Sequence, residues 1–164
     1  SERRRYIPLG FMSPDIIASN LVLLVPGAKL YHFGVLSSAM HMAWVRQVAG
    51  RLESRYRYSA KLVYNNFPWP ESVTPAKRRA VEQVTQKVLD VRAACPEASL
   101  ADLYDPLSMP TDLVKAHAAL DRAVDRCYRA HPFTSERQRV EFLFALYEKL
   151  TTPLIAASGT ASKL

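Results

Sequence analysis

The chain has 164 residues, of which 49% are apolar, and carries a net charge of +7 at neutral pH. This length and apolar content allow one domain or two small ones with a hydrophobic core, and they exclude a wholly disordered chain. The apolar runs are too short to cross a bilayer, and Cys95 and Cys127 lack the spacing of zinc ligands. We therefore expect a cytoplasmic protein with neither metal nor membrane contact.

The positive charge is concentrated in the first part of the sequence. Residues 1–70 carry nine Lys or Arg against three Asp or Glu, whereas residues 71–164 carry thirteen against twelve. Basic charge alone is weak evidence, but this asymmetry is typical of a chain in which one part faces an anion such as nucleic acid. We predict that the second part is the scaffold.

Three short strands are predicted near the start. Residues 6–11 have the pattern of an edge strand interrupted by Pro8 and Gly10, residues 20–25 that of a buried strand, and residues 29–33 that of a returning strand. Because the sequence opens on an interrupted strand, we expect it to be part of a longer polypeptide.

Residues 35–48 are predicted to form a helix. Their apolar side chains recur at helical spacing, and Ser37 or Ser38 is available as the N-cap. His41 lies among these apolar positions, and the sequence offers no second ligand beside it. We interpret His41 as a core residue.

The stretch GRLESRYRYSAKLVYNNFPWP at residues 50–70 has the most unusual chemistry of the chain. A strand sends alternate side chains to one face, so we predict a strand with four charged side chains on one face and the intervening residues packed inward. Three guanidiniums around one carboxylate suit a polyanion whose surface must be read. The structural alternative is that these charges pair with one another. The charged face comprises Arg51, Glu53, Arg55 and Arg57, and the inward face Leu52, Ser54, Tyr56 and Tyr58.

Beyond residue 70 the sequence predicts only helices, and the segment FPWP is interpreted as the exit from the first domain. Capping side chains mark where the helices begin, and we expect residues after about 151 to be loose. The predicted fold is therefore α+β: a partial α/β domain over residues 1–70, with a short sheet and one main helix, followed by a small all-α bundle over residues 71–164. The predicted helix starts are Thr74-Pro75, Ser99, Thr111, and Ser135 with Gln138.

We find no catalytic constellation. The sequence has no glycine-rich phosphate loop, no GxSxG, no HExxH and no Cys–His nucleophile pair. Asp121 and Asp125 lie four residues apart among arginines, and we interpret them as part of a solvated charged face. On its own residues, the chain is predicted to be a non-catalytic binding module.

Three strings in order resemble the C-terminal part of the MmeI-like DNA methyltransferases: YHFGVLSSAMHMAWVR at residues 31–46, the stretch at residues 50–70, and ADLYDPLSMPTDLVKAHAALDRAVDRCY at residues 101–128. These large bacterial proteins join methyltransferase, target-recognition and helical C-terminal regions, many with a nuclease region too. The resemblance covers about residues 6–150. It implies the end of a target-recognition domain plus the helical C-terminal domain, with double-stranded DNA and the methyltransferase core of the same parent chain as partners.

The resemblance also implies which residues read DNA. The family's base-reading pair falls on Glu53 and Arg55, and further base-reading positions fall on Arg57 and Asn20. Arg can donate to guanine and Glu can accept from cytosine, so two neighbours could read one C·G pair. Arg46, Arg51 and Lys61 are better assigned to phosphates, which position a protein without specifying sequence.

The family's methyl-donor site and NPPY-type motif are absent from the sequence. We therefore expect this chain to hold no cofactor and its parent to be an S-adenosylmethionine-dependent adenine-N6 methyltransferase. The alternative is a helical protein-interaction module that docks on the methyltransferase core and contacts DNA little.

Overall fold

The computed structural model describes residues 4–53 and 55–160, with side chains described as far as residue 152. This part of the chain is predominantly helical and contains one two-stranded antiparallel sheet, which confirms the predicted α+β class with a helical C-terminal part. None of the described helices is long and apolar enough to cross a membrane. The elements are α1 (Leu30–Leu36), α2 (Ala39–Val48), β1 (Gly50–Leu52), β2 (Arg55–Arg57), a π-helix (Ala60–Tyr64), α3 (Pro75–Ala93), α4 (Leu100–Leu103), α5 (Thr111–Tyr128) and α6 (Glu136–Thr160).

Helices from both sides of residue 70 share one hydrophobic core. α3 packs along α5, α1 packs on α3, and α2 packs on α6. Met40 of α2, Val88 of α3, Leu120 of α5 and Leu143 of α6 are all fully buried in this core. The first part of the chain is thus held by the second, and the division at residue 70 stays a prediction.

The helical periodicity of the second part is confirmed by burial. On α5 the buried apolar side chains recur every three or four residues, on the side that faces α3 and α1. The cap of α3 is also as predicted: the Thr74 hydroxyl accepts from the backbone N–H of Lys77 at 3.3 Å, and Pro75 follows. The buried stripe of α5 includes Leu113, His117, Leu120, Val124 and Cys127.

The predicted strands at residues 6–11 and 20–25 are wrong. Residues 7–13 have no regular structure, and residues 20–25 form a turn and an irregular segment whose side chains are exposed. A strand needs a partner for its backbone groups, whereas here the backbone bonds are local, such as Val22 N–H to the Ser19 carbonyl at 3.0 Å. Apolar sequence alone therefore does not make a strand in this chain.

The third predicted strand, at residues 29–33, is wrong because these residues start α1. The His32 imidazole accepts from the backbone N–H of Lys29 at 3.0 Å and caps the helix. The helix predicted over residues 35–48 is instead divided at Ser37 and Ser38. Ser38 is the N-cap of α2, because its hydroxyl accepts from the His41 backbone N–H.

The last helix extends into the segment that was predicted to be loose, which begins at about residue 151. α6 is helical to Thr160, and residues 161–164 lie outside the described part. The Thr151 hydroxyl donates to the Tyr147 carbonyl, and the Thr152 hydroxyl donates to the Glu148 carbonyl. Each is a bond to the carbonyl four residues earlier, as Thr side chains form within a helix. At the other end, the Ser135 hydroxyl accepts from the Gln138 N–H at 3.2 Å, as predicted.

Candidate nucleic-acid interface

The stretch predicted as one strand is a hairpin. β1 and β2 pair antiparallel, with Arg51 opposite Tyr56 and Leu52 opposite Arg55. Glu53 lies at the turn after β1, and Ser54, which was predicted to pack inward, lies outside the described residues. The predicted single strand is therefore wrong.

This register changes which side chains share a face. Directly opposed residues of an antiparallel pair lie on the same side of the sheet. Leu52, Arg55 and Arg57 therefore share one face with Gly50, while Arg51 lies on the other face with Tyr56. We call the first of these the outer face, because its residues are all exposed whereas Tyr56 is half-buried.

Glu53 has an uncommon backbone conformation at the tip of the hairpin. Its φ is 54°, in the left-handed region that favours Gly, Asn or Asp in hairpin turns. A residue with a Cβ pays roughly 1 kcal/mol there. The turn therefore presents an exposed carboxylate where a smaller residue would fold more easily.

Aromatic contacts fix the hairpin to the body of the protein. Tyr56 and Tyr58 pack against the hydrophobic core, and the Tyr58 hydroxyl lies 2.9 Å from Nε2 of the fully buried His41. Within the hairpin, the Arg51 guanidinium stacks on the Tyr56 ring at 4.5 Å. His41 in turn packs edge-on against Phe67, with ring centroids 4.5 Å apart. The predicted core role of His41 is confirmed. Its contact with Tyr58 holds the end of the hairpin against the core.

The π-helix that follows the hairpin carries Lys61 on its exposed side. Val63 is buried, and its carbonyl accepts from the Trp44 indole at 3.1 Å, which fixes this helix on α2. The Asn66 amide donates to the carbonyls of Lys61 and Leu62 and so covers the end of the π-helix. Lys61 is thus exposed on a well-anchored element four residues past Arg57.

Arg46 lies in a different setting from the other two predicted phosphate contacts. Its guanidinium forms an ion pair with Glu136 in the first turn of α6 and donates to the Arg4 carbonyl at 3.3 Å. Only a quarter of its side chain is exposed. In this structure Arg46 therefore connects α2 to α6.

Asn20 is exposed and precedes an apolar segment that reaches the inner side of the hairpin. Residues 21–25, together with Tyr56 and Tyr58, line a cavity of about 510 Å³. The structure therefore brings the segment after Asn20 close to the hairpin, while Asn20 itself lies at the N-terminal end of that segment.

The interpretation of Asp121 and Asp125 as solvated charges is wrong. Asp121 accepts from the Ala39 N–H at 2.7 Å, at the first turn of α2, and from the Tyr6 hydroxyl at 2.8 Å. Asp125 is buried and accepts two hydrogen bonds from the Arg139 guanidinium, at 3.0 and 2.7 Å. These carboxylates link α5 to α2, the N-terminal segment and α6, contacts that sequence spacing does not reveal.

Burial shifts the pKa of several groups in this core, and three of these shifts matter in mild acid. It lowers the pKa of His41 to about 3 and that of His117 to about 4, the latter with help from the Arg92 charge. Burial also raises the pKa of Asp121 to about 6, against the opposing effect of its hydrogen bonds from Ala39 and Tyr6. At neutral pH the histidines are neutral and Asp121 is ionised.

We expect these shifts to make the chain less stable in mild acid. Between pH 6 and 4 the unfolded chain carries a proton on each of these two histidines, whereas the folded chain keeps both of them neutral. The folded chain instead carries a proton on Asp121, whose carboxyl is mostly ionised in the unfolded chain. The unfolded chain gains about one more proton, so the free energy of unfolding falls by about 1.4 kcal/mol per pH unit as the pH drops. Urea unfolding at pH 6, 5 and 4 measures this slope. His41→Gln should nearly abolish it, whereas a variant of the exposed residue His131, His131→Gln, should keep it; an unchanged slope in His41→Gln contradicts the account.

No three of the His, Cys, Asp and Glu residues within residues 4–53 and 55–160 are placed to hold a metal ion. The 510 Å³ cavity is mainly lined by apolar side chains, and no Asp or Glu is among its lining residues to bind ribose hydroxyls. The lining of this cavity therefore does not fit S-adenosylmethionine.

Leu52, predicted to lie on the inward face, lies on the opposite face of the hairpin. Leu52 is 66% exposed on the outer face, opposite Arg55. A recognisable turn signature in the sequence would have indicated the hairpin and its register. Glu-Ser is not the Asn-Gly or Asp-Gly pair that marks such turns.

Comparisons with known proteins find similarity to the same family in both parts of the chain. Residues 1–71 match the family model of the MmeI target recognition domain, and residues 73–155 match that of the MmeI C-terminal domain. DNA methyltransferase A of Bacillus subtilis is 46% identical over 151 residues, which are 92% of this chain and 17% of that protein. The structure of the Type IIL restriction-modification enzyme MmeI in complex with DNA superposes with a TM-score of 0.88 at 47% identity, covering 93% of this chain and 20% of that one.

Proposed function

Because this chain belongs to the MmeI family, with a target-recognition part followed by a C-terminal domain, we propose that it recognises a DNA sequence for a larger enzyme. The chain spans about a fifth or less of the length of the relatives it matches. One of those relatives is a DNA methyltransferase, and the other is a restriction-modification enzyme in complex with DNA. The proposed partners are duplex DNA and the methyltransferase core of the same parent chain.

The observation that carries the proposal is the hairpin. It presents Glu53, Arg55 and Arg57 at its tip and on its outer face, all exposed, while Tyr56 on its inner face packs against the hydrophobic core. A two-stranded ribbon fits the major groove of B-DNA, where base pairs are distinguishable by their donors and acceptors. We assign Glu53 and Arg55 to the two halves of one C·G pair and Arg57 to a neighbouring base, with Asn20 as a further base contact.

Phosphate contacts supply the rest of the affinity. Lys61 is exposed beyond β2, and Arg51 lies on the other face of the hairpin from Arg55. Arg46, assigned to phosphate from sequence, is proposed instead to hold α2 against α6, because its guanidinium already binds Glu136. Contacts of this kind fix the register of a protein on DNA and make its affinity depend on salt.

The proposed parent is an adenine-N6 methyltransferase that uses S-adenosylmethionine, and the chemistry takes place outside this chain. The role of the residues described here is to bind and orient the duplex. This assignment rests on the family resemblance.

A second candidate function is supported by one observation. The segment before α1 exposes large apolar side chains, among them Ile17 at 97% and Leu21 at 90% exposure. Exposed apolar surface of this kind marks contacts with other protein. A protein-docking module with little DNA contact is therefore the rival.

Salt titration separates the two candidates. In the full-length enzyme, we expect Lys61→Gln to weaken duplex binding and to reduce the slope of log K against log salt by about 1, the value for one lost phosphate contact. The matched control is Lys87→Gln, which removes an exposed charge on α3. The rival function predicts that both variants keep the wild-type slope.

A further inference from the structure

Leu52 is an exposed apolar side chain in the middle of a charged surface. It lies on the outer face of the hairpin, directly opposite Arg55, and is 66% exposed. Leaving that much of a leucine in water forgoes the stabilisation that burial of its apolar surface would give. Leu52 is therefore available, beside two guanidiniums, for contact with a molecule outside the chain.

The space around Leu52 is open. Gly50 is on the same face, opposite Arg57, and a Cβ built on it meets no atom within 4 Å. Packing within this chain therefore does not require glycine at position 50. A glycine in a strand often marks close approach by a ligand or another backbone. The outer face is thus a row of two guanidiniums and one hydrocarbon side chain, with a gap beside Arg57.

We propose that Leu52 is a specificity-determining residue that contacts the C5 edge of a pyrimidine, with the methyl group of thymine as its preferred partner. This inference rests on the proposed function. In the major groove, thymine differs from the other bases by an apolar methyl group, and apolar side chains recognise it. A base next to the one read by Arg55 meets Leu52, because the two side chains are cross-strand neighbours.

The test changes only the C5 substituent of the DNA. Affinities are measured for the full-length enzyme on duplexes in which each thymine of the recognition site is replaced by uracil and each cytosine by 5-methylcytosine. At one pyrimidine, wild type should be sensitive to the methyl group by about fourfold, the factor that corresponds to burial of one such group. Leu52→Ala should bind both forms of that duplex equally well. Wild type that is insensitive at every pyrimidine, or a variant that keeps the wild-type sensitivity, overturns the proposal.

Two controls identify the cause of a negative result. Leu62→Ala truncates a leucine that is 56% exposed and lies on the π-helix, outside the hairpin, and it should keep the methyl sensitivity. A lower melting temperature for Leu52→Ala without loss of methyl sensitivity means that Leu52 packs against protein, which also overturns the proposal. Arg55→Ala tests the underlying function: if it relaxes specificity while Leu52→Ala does not, only the role of Leu52 fails. If neither does, base reading by the hairpin fails as well.

Discussion

Gly34→Ala is expected to destabilise the fold by about 2 kcal/mol or more, although alanine is the better helix former. Gly34 lies in α1, where that helix packs on α3. A Cβ at this position would be 2.2 Å from Thr85 Oγ1, 2.9 Å from Val81 Cγ1 and 3.3 Å from Leu120 Cδ1. The added methyl must separate the helices or distort Thr85, and overpacking of a tight core costs more than the gain in helix propensity. Urea unfolding measures the loss.

The matched control for Gly34→Ala is Gly50→Ala. A Cβ on Gly50 meets nothing within 4 Å, so its effect on stability should stay within about 0.5 kcal/mol. Combining Gly34→Ala with Thr85→Ala removes the closest contact and should cost less than the sum of the single changes. Wild-type or higher stability of Gly34→Ala would show that α1 and α3 do not pack this closely.

Exchanging Glu53→Lys together with Arg55→Asp is expected to reverse the preference at one base pair from C·G to G·C. Lys donates to guanine and Asp accepts from cytosine, so the donor and acceptor exchange positions on the hairpin. Each such contact is worth roughly 1 to 3 kcal/mol, so the ratio of affinities should change by about tenfold or more. Competition binding of the full-length enzyme to two duplexes that differ only at this pair measures the change.

The single variants show whether the two residues act as a pair. Glu53→Lys or Arg55→Asp alone should lose discrimination at this position without acquiring the new preference, because one contact is lost and the other is mismatched. Lys61→Gln provides the contrast, since a phosphate contact affects all sequences alike. The left-handed φ of Glu53 is equally strained for lysine, so the exchange should not alter the stability of the turn by much.

The helices could be predicted from the sequence because their signals are local. Thr74 followed by Pro75 starts α3, and the apolar spacing on α5 corresponds to its buried face, including Leu120 and Val124. Caps and stripes depend on residues within one or two turns. For the same reason Ser38 was among the predicted caps, whereas the break of the helix beside it depends on Asp121, which is distant in sequence.

The hairpin and the apolar segment depend on information that is not local. The alternation of charges from Arg51 to Arg57 fits a single strand as well as a hairpin, because the Glu-Ser turn has no strong sequence signal. The segment at residues 20–25 has strand composition but no strand beside it in the described part of the chain. The candidate reading residues were identified through the family resemblance, and only the register showed that Leu52 lies among them.

Sequencing the methylated sites made by the full-length enzyme carrying Glu53→Lys and Arg55→Asp tests the central claim most directly, because the hairpin is proposed to read bases in the enzyme's own reaction. The account predicts a methylated motif identical to that of wild type except at one position, where C·G has become G·C. Full methylation of the unchanged wild-type motif would contradict base reading by this hairpin.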